Sequence, residues 1–160
     1  MILKYFPTLF GVVAASVLLL DQTSKALVSA TLYMHQVVPV LDGLFNLTRV
    51  HNTGAAFGLL AGKASVLRTL FFLGVSLAAM SMVLWLARGL RAGQKIECVA
   101  LALIFGGALG NVVDRLRLGE VIDFIDLHYR GLHWPAFNVA DSAISTGVVI
   151  LLWRLLFAKK

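Results

Sequence analysis

Three aspartates lie inside or beside long apolar stretches of this sequence, where a charged side chain is costly. Asp21 follows the first apolar run, Asp114 closes the third stretch, and Asp141 lies about one turn inside the last. A charge at the centre of a bilayer costs roughly 2.5 to 3.5 kcal/mol on insertion scales, so such residues usually mark a functional site. Two carboxylates in a partly dry site can share one proton, so that one acts as a base towards water while the other polarises a carbonyl. That is the chemistry of aspartic proteases.

A fourth acid, Asp123, has only apolar neighbours in the stretch "VIDFI". A carboxylate in such surroundings is unfavourable unless it is paired or protonated. Asp126 comes three residues later, close to His128 and Tyr129, and we expect it to be better solvated. Asp141 has no basic residue within one turn of its own helix, so its partner must come from elsewhere in the chain.

The composition is that of an all-α membrane protein with a single domain, residues 1–160. Hydrophobic residues make up 59% of the chain and charged residues 14%, with a mean hydropathy of +0.88. Soluble domains average about 45–50% apolar and about 25% charged residues. A span needs about 20 apolar residues. The pattern predicts four transmembrane helices, over about 6–28, 66–87, 96–113 and 137–157, with loops at about 29–65 and 114–136.

The basic residues predict the orientation of these spans. The short link "RGLRAGQK" between the second and third spans is basic, and so are both ends of the chain. By the positive-inside rule, the termini and this link are cytoplasmic and the two long loops are outside. The inner side then has seven basic residues and one acidic residue, a net of 7 − 1 = +6, which equals the whole formal charge. Nucleic-acid binding is therefore not needed to explain the charge.

This orientation brings the acidic residues to one depth. The first and third spans run outwards, so Asp21, Asn111 and Asp114 lie near their outer ends. The fourth span runs inwards, so Asp141 lies roughly 6 Å below the outer surface at 1.5 Å per residue. Carboxylates from three spans therefore converge in the outer leaflet.

Simpler interpretations exist for several of these residues. Asp21 and Lys25 could pair along one helix turn, and Asp114 could pair with the adjacent Arg115. The glycines of "GGALG" and Gly147 are typical of close helix contacts. A metal site built from histidines is a weak alternative, because their spacing matches no strong motif; the candidates are His35, His51, His128 and His133.

Two other functions remain open at this point. Asp123 and Asp126 could hold magnesium as a D-x-x-D pair in a membrane transferase, although the rest of that aspartate pattern is missing. Asp21 and Asp141 could serve as relay groups in a small proton-coupled transporter. Four spans without an internal repeat or a broken helix argue against the transporter.

Five blocks of the sequence resemble, in order, those of the bacterial lipoprotein signal peptidases, also called signal peptidase II. They are "DQTSK" at 21–25, "NTGAAF" at 52–57, "GGALGNVVDR" at 106–115, "EVIDFID" at 120–126 and "FNVADSAI" at 137–144. The resemblance implies an intramembrane aspartic endopeptidase that removes the signal peptide from a prolipoprotein, cutting before a diacylglyceryl-modified cysteine.

The resemblance also implies residue roles. Asp123 and Asp141 would be the catalytic pair. Ten further motif positions would bind substrate or support the pair, namely Asp21, Lys25, Asn52, Gly54, Gly106, Asn111, Asp114, Arg115, Asn138 and Ala140. No cofactor or metal is expected.

The resemblance further implies a small extracytoplasmic β-cradle and a short surface helix, at about residues 30–65. The enzyme would function as a monomer in the bacterial inner membrane, in contact with lipid and with both termini in the cytoplasm. Its active site would lie near the outer face.

Overall fold

The computed structural model describes residues 7–54 and 65–157 as four long helices with a small sheet at one end. All four helices are long and apolar enough to cross a membrane, which makes the chain a multi-pass membrane protein and confirms the predicted fold class. In chain order the elements are α1 (Pro7–Thr31), β1 (Val37–Leu41), β2 (Phe45–Asn52), α2 (Val66–Arg88), α3 (Lys95–Leu118), β3 (Val121–Tyr129), β4 (Leu132–His133) and α4 (Val139–Phe157).

Helix α3 is the centre of the bundle and packs against α1, α2 and α4. Its glycines allow the backbones to approach closely, as the "GGALG" pattern predicts. A Cβ atom on Gly106 would lie 2.7 Å from the Ala14 carbonyl oxygen of α1, and one on Gly107 would collide with the Ala140 carbonyl oxygen of α4. Small residues are favoured where helices meet in a membrane for this reason.

The third helix is longer than predicted. The apolar pattern ends at Val113, but α3 continues through the polar segment "DRLRL" to Leu118. Asp114 is buried within this last part, so its polarity does not mark a loop. The helix ends at Gly119, which has a φ of 77° and donates its backbone N–H to the Arg115 carbonyl. That left-handed conformation is a common helix end and favours glycine.

The sheet is antiparallel and has the strand order β1-β2-β3-β4. Only β1 and β2 come from the region where the cradle is expected; β3 and β4 come from the second long loop. In the pairing of β2 with β3, Val50 lies opposite Asp123. The sheet therefore places Asp123 beside the start of α4. Residues 55–64, the part of the first loop left for the expected surface helix, lie outside the described residues.

Gly107→Ala tests whether the close approach of α3 and α4 stabilises the fold. The added methyl group meets backbone, which cannot move aside as a side chain can, so we expect a loss of about 1–3 kcal/mol of stability. Gly74→Ala in α2 is the matched control, because nothing lies within 4 Å of the added Cβ. Thermal unfolding in detergent should show a lower midpoint for Gly107→Ala alone. Equal midpoints for the two variants would contradict the packing argument.

Candidate active site

A buried lysine connects the polar ends of two helices. The Lys25 ammonium lies 2.8 Å from Asp21 Oδ2 and 2.7 Å from Asp114 Oδ2, and it donates a hydrogen bond of 3.0 Å to Asn111 Oδ1. The side chain of Lys25 is only 2% exposed. A buried charge is tolerated when it is paired and all its hydrogen-bonding groups have partners. Here the three donors of the ammonium meet three acceptors, so the site is satisfied.

Asp21 also holds the start of α4. Its Oδ1 accepts a hydrogen bond of 3.0 Å from the backbone N–H of Ala140, near the beginning of that helix. The first N–H groups of a helix have no partner within the helix, and the helix dipole favours a negative charge there. The Asp21–Lys25 contact is therefore part of a link between three helices, rather than a simple pair along one turn. Among the described residues, Asp114 pairs with Lys25 and not with Arg115.

Asn138 and Asp141 cap α4 reciprocally. Asn138 Oδ1 accepts a hydrogen bond of 2.9 Å from the Asp141 backbone N–H. In return, Asp141 Oδ2 accepts one of 3.3 Å from the Asn138 backbone N–H. This is the geometry of a capping box, with asparagine in place of the usual serine or threonine and aspartate in place of the usual glutamate or glutamine. A carboxylate in the first helical turn is stabilised by the dipole, which explains why the fold tolerates Asp141 there.

Asn138 joins the cap to Asp123. Its Nδ2 donates a hydrogen bond of 2.7 Å to Asp123 Oδ1. Asn111 Nδ2 donates one of 2.9 Å to Asp141 Oδ1, and the Asn111 oxygen already accepts from Lys25. The two aspartates are therefore held by two asparagines, and one of these is anchored to the buried lysine.

Asp123 reaches the site from β3 and is 2% exposed. Asn52 Nδ2 at the end of β2 donates a hydrogen bond of 2.9 Å to its Oδ2. Burial raises the pKa of Asp123 to about 7, and the negative charge of Asp141 adds to the rise. Hydrogen bonds from Asn52 and Asn138 oppose the rise without cancelling it. This carboxyl group can therefore gain or lose a proton near neutral pH.

Both aspartates line one cavity of about 860 Å³. Asn52, Asn111 and Arg115 contribute polar groups to its wall, whereas Phe137 and Ile144 are among its apolar lining residues. The Arg115 guanidinium lies over the Phe72 ring, 5.2 Å from its centroid, which fixes the direction of its donors. The cavity offers space for an extended peptide beside two carboxyl groups, together with donors for peptide carbonyls.

The structure brings eleven of the twelve predicted site residues together at the sheet end of the bundle. They are Asp21, Lys25, Asn52, Gly54, Asn111, Asp114, Arg115, Asp123, Asn138, Ala140 and Asp141. Gly106 differs, because it packs against Ala14 and Val17 in the middle of α1.

Two contributors were not predicted. Gln22 Nε2 donates hydrogen bonds to Asp114 Oδ1 at 2.9 Å and to the Gly110 carbonyl at 3.2 Å. The position of Gln22 inside the "DQTSK" block was the one feature of the sequence that could have indicated a role in the site. His51 lines the cavity and its Nδ1 lies 3.0 Å from Oε2 of Glu120, the residue before β3, a contact that no spacing in the sequence indicates.

Asp126 was expected to be better solvated than Asp123, and it is the more exposed of the two, at 9% against 2%, but it is still a buried residue. Its side chain is 12% exposed and lies 2.8 Å from both His133 Nδ1 and Asn46 Nδ2. Burial raises the pKa of Asp126, but the hydrogen bonds from His133 and Asn46 outweigh that effect and the pKa is lowered. Residues three apart on a strand point to opposite faces. Asp126 therefore points away from Asp123, and the two cannot form a D-x-x-D metal pair.

A family model, curated relatives and a solved structure all match nearly the whole chain. The family model described as "Signal peptidase (SPase) II" matches residues 13–157. A lipoprotein signal peptidase of Geobacter sulfurreducens is 50% identical, over 89% of this chain and 88% of the relative. One from Pseudomonas aeruginosa is 46% identical, over 90% and 85%. A solved bacterial membrane enzyme superposes with a TM-score of 0.82 at 32% identity, covering 100% of this chain and 97% of the other.

The raised pKa of Asp123 predicts how stability depends on pH. Between the ordinary value of 3.8 and about 7, the native state holds a proton that the unfolded state has lost. The free energy of unfolding therefore falls as pH rises through this window. Asp123→Asn removes the effect, so its gain in melting temperature over the unmodified protein should be several degrees larger at about pH 8 than at about pH 5.

Asp42→Asn, in the exposed turn before β2, is the control and should give no such difference. Melting curves in detergent at the two pH values provide the measurement. A gain that is the same at both pH values would mean that Asp123 titrates at its ordinary pKa.

Proposed function

Because this chain belongs to the signal peptidase II family, we propose that Asp123 and Asp141 are the catalytic pair of its aspartic endopeptidase activity. The enzyme is a protease that cleaves signal peptides from prolipoproteins. One observation carries the assignment of the pair: both carboxyl groups line the same cavity, and Asn138 hydrogen-bonds to both residues. The family's sequence blocks suggest the same two residues, and the shared cavity supports the pair independently.

The pair works by sharing one proton. Two carboxylates facing one cavity repel each other when both are charged, so the pair holds a proton near neutral pH. The charged member takes a proton from water as the water oxygen attacks the scissile carbonyl carbon. The protonated member gives its proton to the carbonyl oxygen, which forms a tetrahedral diol. Collapse of the diol breaks the C–N bond: the member that is now protonated gives its proton to the nitrogen, and a diol hydroxyl returns its proton to the charged member, which restores the pair. The two titrations belong to the pair jointly.

The other polar groups of the cavity position the peptide. Asn52 and Arg115 carry donors that can bind substrate carbonyls, and Arg115 is already oriented by Phe72 and by the Gly54 carbonyl, 3.5 Å from its Nη2. Asn111 and Asn138 orient the two carboxylates through the contacts described above. Holding reactive groups in a fixed geometry can supply a large part of a rate enhancement.

The substrate is a prolipoprotein with a diacylglyceryl group on the cysteine that follows the cut. Asp141 lies in the first turn of α4, so the cavity opens at the depth where a helix emerges from the membrane. A lipid-anchored cysteine holds its scissile bond at the same depth, because its acyl chains remain in the bilayer. One chain contains every residue of the site, so the enzyme functions as a monomer.

The sheet end of the bundle faces outwards from the bacterial inner membrane, and both termini are cytoplasmic. The link between α2 and α3, at the opposite end, contains Arg88, Arg91 and Lys95. Arg154, in the last turn of α4, pairs with Glu97 at that same end, with Nη2 and Oε1 2.9 Å apart. Positive charge at this end supports a cytoplasmic location under the positive-inside rule.

The geometry argues against the two alternative functions, a magnesium-dependent transferase and a proton-coupled transporter. Magnesium binding by Asp123 and Asp126 fails because the two side chains leave opposite faces of β3. A proton relay through Asp21 fails because its carboxylate is already bound by Lys25 and by the Ala140 N–H.

Either Asp123→Asn or Asp141→Asn should abolish cleavage, since each keeps the side-chain shape and removes a titrating group. We expect a loss of at least about a thousandfold, comparable to the removal of a catalytic acid or base. Asp42→Asn is the control, because this exposed aspartate lies in a turn away from the cavity. Initial rates on a lipidated precursor in detergent provide the measurement, with melting curves as evidence of folding. Substantial turnover by a folded Asp141→Asn variant would remove it from the pair.

Lipidation of the precursor tests the proposed substrate class separately from the mechanism. The purified enzyme should cleave a diacylglyceryl prolipoprotein and should leave its unlipidated counterpart intact, because only the lipid anchor places the scissile bond at cavity depth. Quantifying both products by mass spectrometry gives the ratio. Equal cleavage of the two precursors would withdraw the lipid requirement while leaving the protease assignment intact.

A further inference from the structure

A second cluster of chemically active side chains lies on the face of the sheet opposite to Asp123. Asp126 and His128 are two residues apart on β3, so they point to the same face. His133 on β4 is the strand partner of His128, and Asn46 on β2 is the strand partner of Asp126. Three adjacent strands therefore direct four polar side chains to one place. None of the four lines the active-site cavity.

The side chains meet at short distances. One ligand atom from each of Asp126, His128 and His133 lies within 4.8 Å of the other two. The two imidazole rings are stacked, with centroids 4.9 Å apart and planes 14° from parallel. Asp126 Oδ1 is 2.8 Å from His133 Nδ1. The tight turn between β3 and β4 brings His128 and His133 together, and Arg130 and Gly131 in this turn both have positive φ values, 49° and 81°.

We propose that Asp126, His128 and His133 bind a zinc ion, with water in the remaining position. Two imidazoles and one carboxylate form a common zinc ligand set. Donor atoms about 2.0–2.1 Å from a tetrahedral zinc ion lie roughly 3.3 Å apart, so the widest separation must shorten by at most about 1.5 Å. Asp126 Oδ1 and His133 Nδ1, now 2.8 Å apart, must separate by about 0.5 Å. His133 can make this movement, because its side chain is 55% exposed and lies on a two-residue strand.

The surrounding residues support the ligands. Asn46 Nδ2 donates a hydrogen bond of 2.8 Å to Asp126 Oδ2 and lies 3.3 Å from His128 Nδ1. Asn46 is buried and would keep Asp126 oriented while Asp126 binds the metal through Oδ1. In metal sites, residues that hydrogen-bond to the metal ligands fix the orientation of those ligands. The sequence suggested a weak metal site among four histidines; the structure brings two of them together and adds Asp126.

The zinc ion takes no part in peptide hydrolysis. Asp123 is three residues before Asp126 and leaves the other face of β3, towards the cavity. The ion instead joins β4 to β3 and stiffens the strand that carries Asp123. This site does not depend on the proposed catalytic pair.

Titration of the full-length chain in detergent tests the site. After treatment with a chelator, the protein should bind one zinc ion per chain by calorimetry, and zinc should raise its melting temperature. Cobalt in place of zinc should give the visible absorption of a tetrahedral site. His133→Gln should weaken zinc binding about tenfold or more, and it should still fold because His133 is half exposed.

His35→Asn is the matched control. His35 is an exposed histidine outside the cluster with a φ of 61°, a conformation that asparagine also tolerates. It should bind zinc as the unmodified chain does. Absence of a one-to-one zinc complex, or equal affinity in the folded His133→Gln variant, would overturn the proposal. Loss of cleavage on chelation, restored by zinc, would overturn the structural role assigned to the ion.

Discussion

A positive charge inside an apolar bundle must be neutralised locally, and the polar end of this molecule is built around that requirement. The Lys25 ammonium binds acceptors on its own helix and on α3, and each acceptor holds another element in turn. Asp21 binds the first turn of α4, and Asp114 Oδ2 accepts a hydrogen bond of 3.3 Å from the Ile122 N–H at the start of β3. Removing one partner of a buried ion pair of this kind typically lowers stability by about 3–5 kcal/mol, because the remaining charge is buried without a counter-charge or water. One cation therefore links three helices and one strand.

The same network lets a helix cap serve as part of an active site. Asn138 begins α4 by binding the Asp141 N–H, and its amide nitrogen also reaches Asp123 on the neighbouring strand. Each of the two side chains is held because it accepts a hydrogen bond from the backbone N–H of the other residue. The cap and the hydrogen bond from Asn111 together hold Asp141 in position. Asp123 has a raised pKa that lowers stability at neutral pH, which is typical of a functional carboxyl group.

Successive side chains of strand β3 point to opposite faces of the sheet, so the strand contributes to two separate polar clusters. One face brings Asp123 to the cavity, and the other brings Asp126 and His128 to Asn46 and His133. A strand that is paired on both sides presents its side chains in fixed directions, so chemistry on one face can be insulated from chemistry on the other. One strand, Val121–Tyr129, therefore has two distinct roles.

The sequence by itself determined the membrane class, the four spans and the convergence of acids at one end, because bilayer thickness and the cost of buried charge act on local composition. The family blocks also indicated Asp123 and Asp141 before any geometry was known. Only the tertiary structure decided which partners these acids have. Lys25 could pair along its own helix, and nothing local indicates that it also reaches Asp114 on another helix. The extension of α3 to Leu118 and the burial of Asp126 were missed for the same reason: polar residues predict solvent exposure unless distant parts of the chain supply their partners.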